Sequence, residues 1–371
     1  MGQQLILFAV PGFFALMFAE MAASKVLRRG YYAASDTLND LSMGVLQQVA
    51  ALFYNVVLLG IYGWIYGHLR VFDVPHTALG WAVAFVAWDF FYYWAHRAMH
   101  EVNLLWASHA PHHQSEEYNL AVALRQGVFQ APLTCFFFWP LALAGVDVEM
   151  YLVVGGVNLI YQFWIHTRFI RSLGVLEHVM NTPSHHRVHH GKNRRYLDRN
   201  HGGVFIVWDR LFGTFTRERE EPVYGTLEPL ASWNPAWGQV KYLVHLARVA
   251  SRSGDRRDLA RIWFARAGWA PAGTVEPLDL DAPPPPRYAP AVPRGRARYA
   301  VAQFAATAAL SLVLLGAAPR LSAAWQVLLA LQVAVGLTGV GGVLEGKTWV
   351  RWLEPARMIA LAATAVAWWA R

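Results

Sequence analysis

The chain has 371 residues, 56% of them hydrophobic and only 15% charged, with a formal net charge of +8. This balance excludes an ordinary soluble domain and points to a membrane protein, its arginines flanking apolar segments at an anionic surface. No basic, aromatic-interleaved module is present, which excludes nucleic acid as a partner, and the single Cys135 excludes a disulfide framework and an iron–sulfur cluster.

The first apolar run, Leu5 to Met21, has no basic leader and no small-x-small cleavage site, so it reads as a retained helix. Lys25, Arg28 and Arg29 follow it, and the positive-inside rule keeps them cytosolic, with the N-terminus outside. Val45 to Tyr66 then crosses outward and Ala78 to Trp94 returns, bringing His96 and His100 to the cytosolic edge. Asp89 in the third segment is costly in lipid, so it faces the bundle or a metal. Phe129–Val146 and Tyr151–Ile165 form a hairpin; each arm is at or below the length of a clean crossing, so a half-depth re-entrant pair fits as well as two spans. Either geometry puts His166 on the same side as the first histidines.

Residues 167–296 lack a long apolar run and form a cytosolic cap, with Thr274 to Pro293 an extended linker lacking helix. Three apolar helices follow, Tyr299–Leu315, Ala324–Val343 and Met358–Trp369; Gly336, Gly339, Gly341 and Gly342 mark close packing in the middle one. The expected fold is an all-α integral membrane protein, a transmembrane helical bundle whose cytosolic helical cap carries a histidine-rich dinuclear metal site. Its parts are N-terminal membrane helices (1–95), a histidine-box region (96–250, with the hairpin at 129–165), an amphipathic, Pro-rich linker (251–296) and C-terminal membrane helices (297–371).

Twelve of the fifteen histidines fall in two windows, five between His96 and His113 and seven between His166 and His201. Residues four apart share a helix face, so His96 and His100 form one stripe. In His109-x-x-His112-His113 and His186-x-x-His189-His190 the outer two share a face, while the middle one turns roughly 100° away and can reach a second metal. These eight imidazoles suit two ions of the Fe, Zn, Cu or Ni type. A zinc protease motif is excluded, since Leu104 follows His100-Glu101 where histidine is required. His68, His76 and His245 stand alone and read as ordinary hydrogen-bonded or exposed residues. Gln162, four residues before His166, is a weak ligand or holder of a metal-bound water, and His185 and His178 compete for that role. Imidazole ligands hand their second N–H to a carboxylate or carbonyl, which makes Glu101, Glu116, Glu117, Glu177 and Asp209 candidates for support, with Glu101, Glu116 and Asp209 foremost for catalysis. Zinc would imply hydrolysis, for which so many histidines are excessive; oxidation of an unactivated C–H bond by iron and O2 fits better.

The boxes HRAMH, HAPHH and HHRVHH behind paired membrane helices resemble the fatty acid hydroxylase/sterol desaturase superfamily of membrane non-haem di-iron oxygenases. The strings HRAMHEVNLLWASHAPHHQSEEYNLAVALRQ, YQFWIHT and NTPSHHRVHHGKNRRYLDRNHGGVFIVWDRLFGTF are similar to its alkylglycerol monooxygenase branch, over about Asp89 to Thr216. The resemblance implies iron ligation by His96, His100, His109, His112, His113, His166, His186, His189 and His190, with Gln162 where other members have histidine. It implies two Fe ions, O2, and tetrahydrobiopterin or another electron donor as reductant. The implied reaction hydroxylates the alkyl carbon next to the ether oxygen of a glycerol ether lipid held in the bilayer, and the hemiacetal collapses to a fatty aldehyde. Hydroxylation or desaturation of sterol, fatty acyl or aminolipid substrates is the alternative, and metal storage or transport a third reading. The Arg-rich, Lys-poor composition points to a bacterial source, and hence to an inner membrane.

Overall fold

The structure, a computed structural model, describes residues 2–276, 278–280 and 282–369; Pro277 and Asp281 of the expected linker lie outside the described residues. The helices are α1 (Gly2–Val26), α2 (Ala34–Leu69), α3 (Ala78–Glu101), α4 (Asn103–His113), α5 (Gln130–Thr134), α6 (Trp139–Leu143), α7 (Val148–Trp164), α8 (Pro183–His189), α9 (Val207–Leu211), α10 (Pro235–Arg252), α11 (Asp258–Phe264), α12 (Arg294–Ala317), α13 (Ala323–Glu345) and α14 (Val350–Trp369). Among the described residues there is no strand, only two isolated bridges, Val102 with Arg266 and Met180 with Phe205.

Four helical stretches are long and apolar enough to cross a membrane: Ala9–Val26, Ala34–Leu69, Arg294–Arg320 and Ala323–Glu345. Two expected spans fall short of that standard. Asp89 and a run of Tyr and Trp lower the apolarity of α3, and Arg351, Glu354 and Arg357 interrupt α14. The first arm of the expected hairpin is broken, with a 3-10 turn over Cys135–Phe138 between α5 and α6, so the apolar stretch Gln130–Leu143 is below the roughly 17 residues of a crossing. Conversely, α2 begins eleven residues before the expected Val45 and is continuous over 36 residues, about 54 Å at 1.5 Å per residue. Its first turns bury Thr37, Asn39, Asp40 and Ser42 against the cap, which is why their polarity does not mark a loop.

The membrane core joins α2, α3, α6 and α7 through Tyr62, Ile65, Ala84, Trp88, Leu141, Met150 and Val154. Helix α1 lies against α7, with Phe13 stacked on Phe163 at 4.2 Å. Helices α12 and α13 pack on α2 through Val49, Leu314, Leu329, Val333 and Leu337. The small residues of α13 permit that approach: a Cβ at Gly336 would come within 2.7 Å of the Thr307 hydroxyl on α12.

What positions the site is the break between α3 and α4. Val102 is extended (φ −117°, ψ 126°), and the buried Asn103 fixes the reversal. Its amide donates to the carbonyls of Ile262 (2.9 Å) and Trp269 (3.1 Å), while its oxygen accepts from Tyr242 and Gly268, both at 2.8 Å. With every polar atom of Asn103 engaged, α4 is folded back beside the last turns of α3 and held from outside by α10 and α11.

Candidate metal centre

Nine buried histidines converge from four elements in two groups. His96 and His100 of α3, His109 and His113 of α4 and His189 of α8 make one; their nearest ring nitrogens all lie within 4.8 Å of one another. His112 of α4, His166 after α7, His186 of α8 and His190 at its C-cap make the other, by the same measure. The middle histidine of each HxxHH box stands in the opposite group from its neighbours, as the helical period requires. The rings of His113 and His190 stack across the two groups at 4.3 Å.

The hydrogen bonds fix which nitrogen faces inward. Nδ1 of His96 meets the carbonyl of His201 at 2.8 Å, that of His112 the carbonyl of Arg125 at 2.7 Å, that of His166 the carbonyl of Gln162 at 2.8 Å, and that of His189 the carbonyl of Arg199 at 3.0 Å. A carbonyl only accepts, so each Nδ1 carries the proton and each Nε2 presents a bare lone pair. His109 is fixed likewise by Oε1 of Gln130 at 2.9 Å. The Nε2 atoms then face one another: His96 to His109 at 3.1 Å and His112 to His166 at 3.4 Å. Nε2 of His100, His189 and His190 has no hydrogen-bond partner. Protons do not fill these sites, because burial and neighbouring histidines hold His113, His189 and His190 well below the usual imidazole range. Burial also takes His112 down to about 4 and His166 down to about 3. Lone pairs of this kind are stable only around a cation. Two nitrogens each about 2.1 Å from a shared ion and at right angles would be about 3.0 Å apart, close to the spacings observed. Each group can therefore hold one metal ion.

The remaining expected residues lie outside the two groups. Oε1 of Gln162 accepts from the Tyr92 hydroxyl at 2.7 Å and its Nε2 donates to Asn158 at 2.6 Å, so its amide is engaged with neighbours while its main-chain carbonyl orients His166. His185 belongs to neither group, since one residue before His186 it projects from another side of α8, against Phe215. His178 is exposed. Glu101 pairs with Arg97 at 2.9 Å on an open surface, Glu116 accepts from the Tyr288 amide, Glu117 pairs with Arg168 and Arg287, and Glu177 accepts from the Leu173 amide. The ring supports are thus carbonyls and one amide, which supply acceptors without burying further charge. Asp209 acts one step removed: it accepts from the amides of His201 (2.7 Å) and Gly202 (2.8 Å) and from Thr214 (2.6 Å), bracing the loop whose carbonyl orients His96. Burial raises its carboxyl to about 6. Asp89 faces the bundle, accepting from Val204, Phe205, Trp208 and Asn158.

Two contributors, His201 and Arg125, lie outside the expected ligand and support sets. His201 is fully buried beside His96 and His100, with neither ring nitrogen partnered. Its loop carries two non-glycine residues at positive φ, Asp198 (53°) and Asn200 (58°), types that tolerate that region, and this Asp/Asn spacing was the available signal. Arg125 is completely buried; it donates to Asp40 (3.1 Å), Gln114 (2.9 Å) and the Pro111 carbonyl while its own carbonyl holds His112.

Comparison with known proteins agrees with this geometry. The sequence profile of the fatty acid hydroxylase family matches residues 81–214, which contain all nine grouped histidines. The chain is 42% identical to human alkylglycerol monooxygenase over 71% of its own length and 59% of the relative's, and 34% identical to the alkylglycerol monooxygenase of Danio rerio over 95% and 80%. It is also 32% identical to an ornithine lipid hydroxylase of Rhizobium tropici over 49% and 55%. The matched region thus spans under two thirds of the human relative but four fifths of the fish one. No solved structure matches. With a relative 34% identical and covered over four fifths of its length, and with the family profile spanning every grouped histidine, the chain belongs to the fatty acid hydroxylase family and is similar to its alkylglycerol monooxygenases.

Proposed function

We propose that this protein is a membrane di-iron mono-oxygenase that hydroxylates the alkyl carbon next to the ether oxygen of a glycerol ether lipid and so releases a fatty aldehyde. The observation that carries the reading is the pair of adjoining imidazole groups with unprotonated Nε2 atoms, set beside apolar helices in a chain similar to alkylglycerol monooxygenases. In this reading His96, His100, His109, His113 and His189 hold one iron and His112, His166, His186 and His190 the other. The chemistry supplied by two bound irons is the reduction of O2 with delivery of one oxygen atom to an unactivated C–H bond, which zinc does not perform.

The chain's own part is to orient and exclude. The five Nδ1–H bonds hold the rings in one tautomer, and Trp106, whose ring is 5.1 Å from that of His100, and Tyr118, 5.2 Å from His190, wall off the groups. The positive-inside rule, applied to Lys25 in the last turn of α1 and to Arg28 and Arg29 just after it, puts this face in the cytosol, reached by tetrahydrobiopterin or another electron donor.

The test is incubation of the purified, iron-loaded protein with O2, a reductant and a labelled alkylglycerol. Release of labelled aldehyde, dependent on O2, is expected; its absence with full iron content overturns the ether-lipid reading. The likeness to an ornithine lipid hydroxylase favours one second reading, hydroxylation of an aminolipid, which the same assay with that lipid would reveal.

A further inference from the structure

We infer that a cavity on the far side of α8 from the imidazole groups binds a phosphate group. The cavity, about 370 Å³, lies between the turn that includes Arg171 and Gly174 and the segment that includes Arg210, Arg217 and Glu218. Three arginines line it. Arg210 is stacked over the Phe215 ring at 3.7 Å and donates through Nη2 to the Glu177 carbonyl at 3.0 Å, which leaves its buried Nε without an acceptor. Arg171 and Arg217 have no side-chain acceptor among the described residues. His185 lines the same cavity; its side chain is buried, and its Nδ1 has no partner either.

Two carboxylates are also present, and together they do not balance these cations. Glu218 is gripped at 2.9 and 2.7 Å by Arg187, and Glu177 accepts from the Leu173 amide at 3.0 Å and the Ser184 hydroxyl at 3.4 Å. Counting Arg171, Arg187, Arg210 and Arg217 against Glu177 and Glu218 leaves two positive charges in excess. The buried Nε–H of Arg210 lacks an acceptor, and an anion held beside the unpaired guanidinium groups of Arg171 and Arg217 would supply one. Planar guanidinium forks match the oxygens of a phosphate, which accepts several charge-assisted bonds at once.

The surroundings favour a phosphate carried by a lipid. Val175 (79% exposed), Leu176 (53%), Val179 (49%) and Leu211 (70%) are open apolar side chains on the two segments that frame the cavity. Beside them, Phe212 packs on Trp94 and Phe90 of α3, at the level of its apolar part. A phospholipid would thus place its headgroup among the arginines and its chains on the exposed Val and Leu edge. A second cavity, lined by Arg195, Arg217 and Arg219, adjoins through Arg217 and gives room for a headgroup larger than phosphate alone.

The experiment uses the full chain in a neutral detergent and measures binding by calorimetry in two arms, phosphatidylglycerol in mixed micelles and inorganic phosphate in solution. The expected result is binding of phosphatidylglycerol that weakens about tenfold or more in Arg171→Ala/Arg217→Ala, a loss set by two charge-assisted bonds. Arg171→Lys/Arg217→Lys should retain most of it. Inorganic phosphate bound with the same dependence on these arginines, without lipid binding, would keep the phosphate site and assign it to a soluble ester. Equal binding of both probes by wild type and the alanine variant overturns the proposal. So does an equal loss in Arg256→Ala/Arg257→Ala, two exposed arginines remote in sequence, because the effect would then be net charge alone. Both replaced positions in the cavity are exposed, and unchanged circular dichroism and metal content verify the fold; the single Arg217→Ala variant serves if the double one does not fold.

Discussion

Nε2 of His96 and Nε2 of His109 lie 3.1 Å apart although each ring has already given its only proton to an acceptor behind it, the His201 carbonyl and Oε1 of Gln130. Two lone pairs at that distance repel unless a cation stands between them. His109→Ala should therefore release about one of two metal ions per chain, read by elemental analysis after purification without added metal. His68→Ala and His245→Ala, whose rings lie outside both groups, should leave the metal content unchanged. Full metal occupancy in the His109 variant would remove that residue from the site.

The same burial sets a pH dependence for the metal-free protein. His112 and His166 take up protons only at about 4 and about 3 in the folded chain, against about 6.5 when unfolded. Above pH 6.5 neither state is protonated and these rings contribute nothing. As pH falls below 6.5 the unfolded state gains protons that the folded state refuses, so stability is lost down to about pH 4 to 3, at roughly 1.4 kcal/mol per pH unit for each ring. Thermal unfolding in detergent with a chelator should show this fall between pH 7 and pH 5, and bound metal should reduce it.

Asp209 offers a test of support at a distance. Asp209→Asn keeps the shape but replaces one oxygen by a donor facing the amides of His201 and Gly202, at a cost of about 1–3 kcal/mol for an unsatisfied buried group. The expected outcome is weakened metal retention by the His96 group with the His112 group less affected, seen as partial loss in a chelator titration.

Arg125 and Asp40 form a buried ion pair at 3.1 Å that joins α2 to the turn holding His112. Arg125→Met strands the Asp40 carboxylate and should cost about 3–5 kcal/mol. The double variant Asp40→Leu/Arg125→Met should be less destabilised than the single one, and denaturation midpoints of the two compare them directly.

Gly127 is required by contact rather than by conformation. A Cβ there would sit 1.9 Å from the Ser108 carbonyl, immediately before His109. Gly127→Ala should displace α4 and lower metal content together with thermal stability, whereas Gly60→Ala, which meets nothing within 4 Å, should change neither.

The histidine boxes are legible in the primary structure because ligand spacing within one helix is a local property: the 3.6-residue period alone separates His109 and His113 from His112, and His186 and His190 from His189. The apolar runs of α1, α2, α12 and α13 are legible for a similar reason, since lipid demands an unbroken stretch. Local pattern failed where a polar residue is satisfied by a distant partner. The expected second span starts at Val45, yet Thr37, Asn39, Asp40 and Ser42 before it are buried helix, and the carboxylates Glu101 and Glu116 looked suited to imidazoles but face Arg97 and the Tyr288 amide. What the chain alone determined is which imidazoles share a face and which helices seek lipid. Only the tertiary structure decided which carbonyls receive the Nδ1 protons, that His185 turns away, and that His201 and Arg125 complete the surroundings, because hydrogen bonds between residues as far apart as His96 and His201 leave no periodic trace in the sequence.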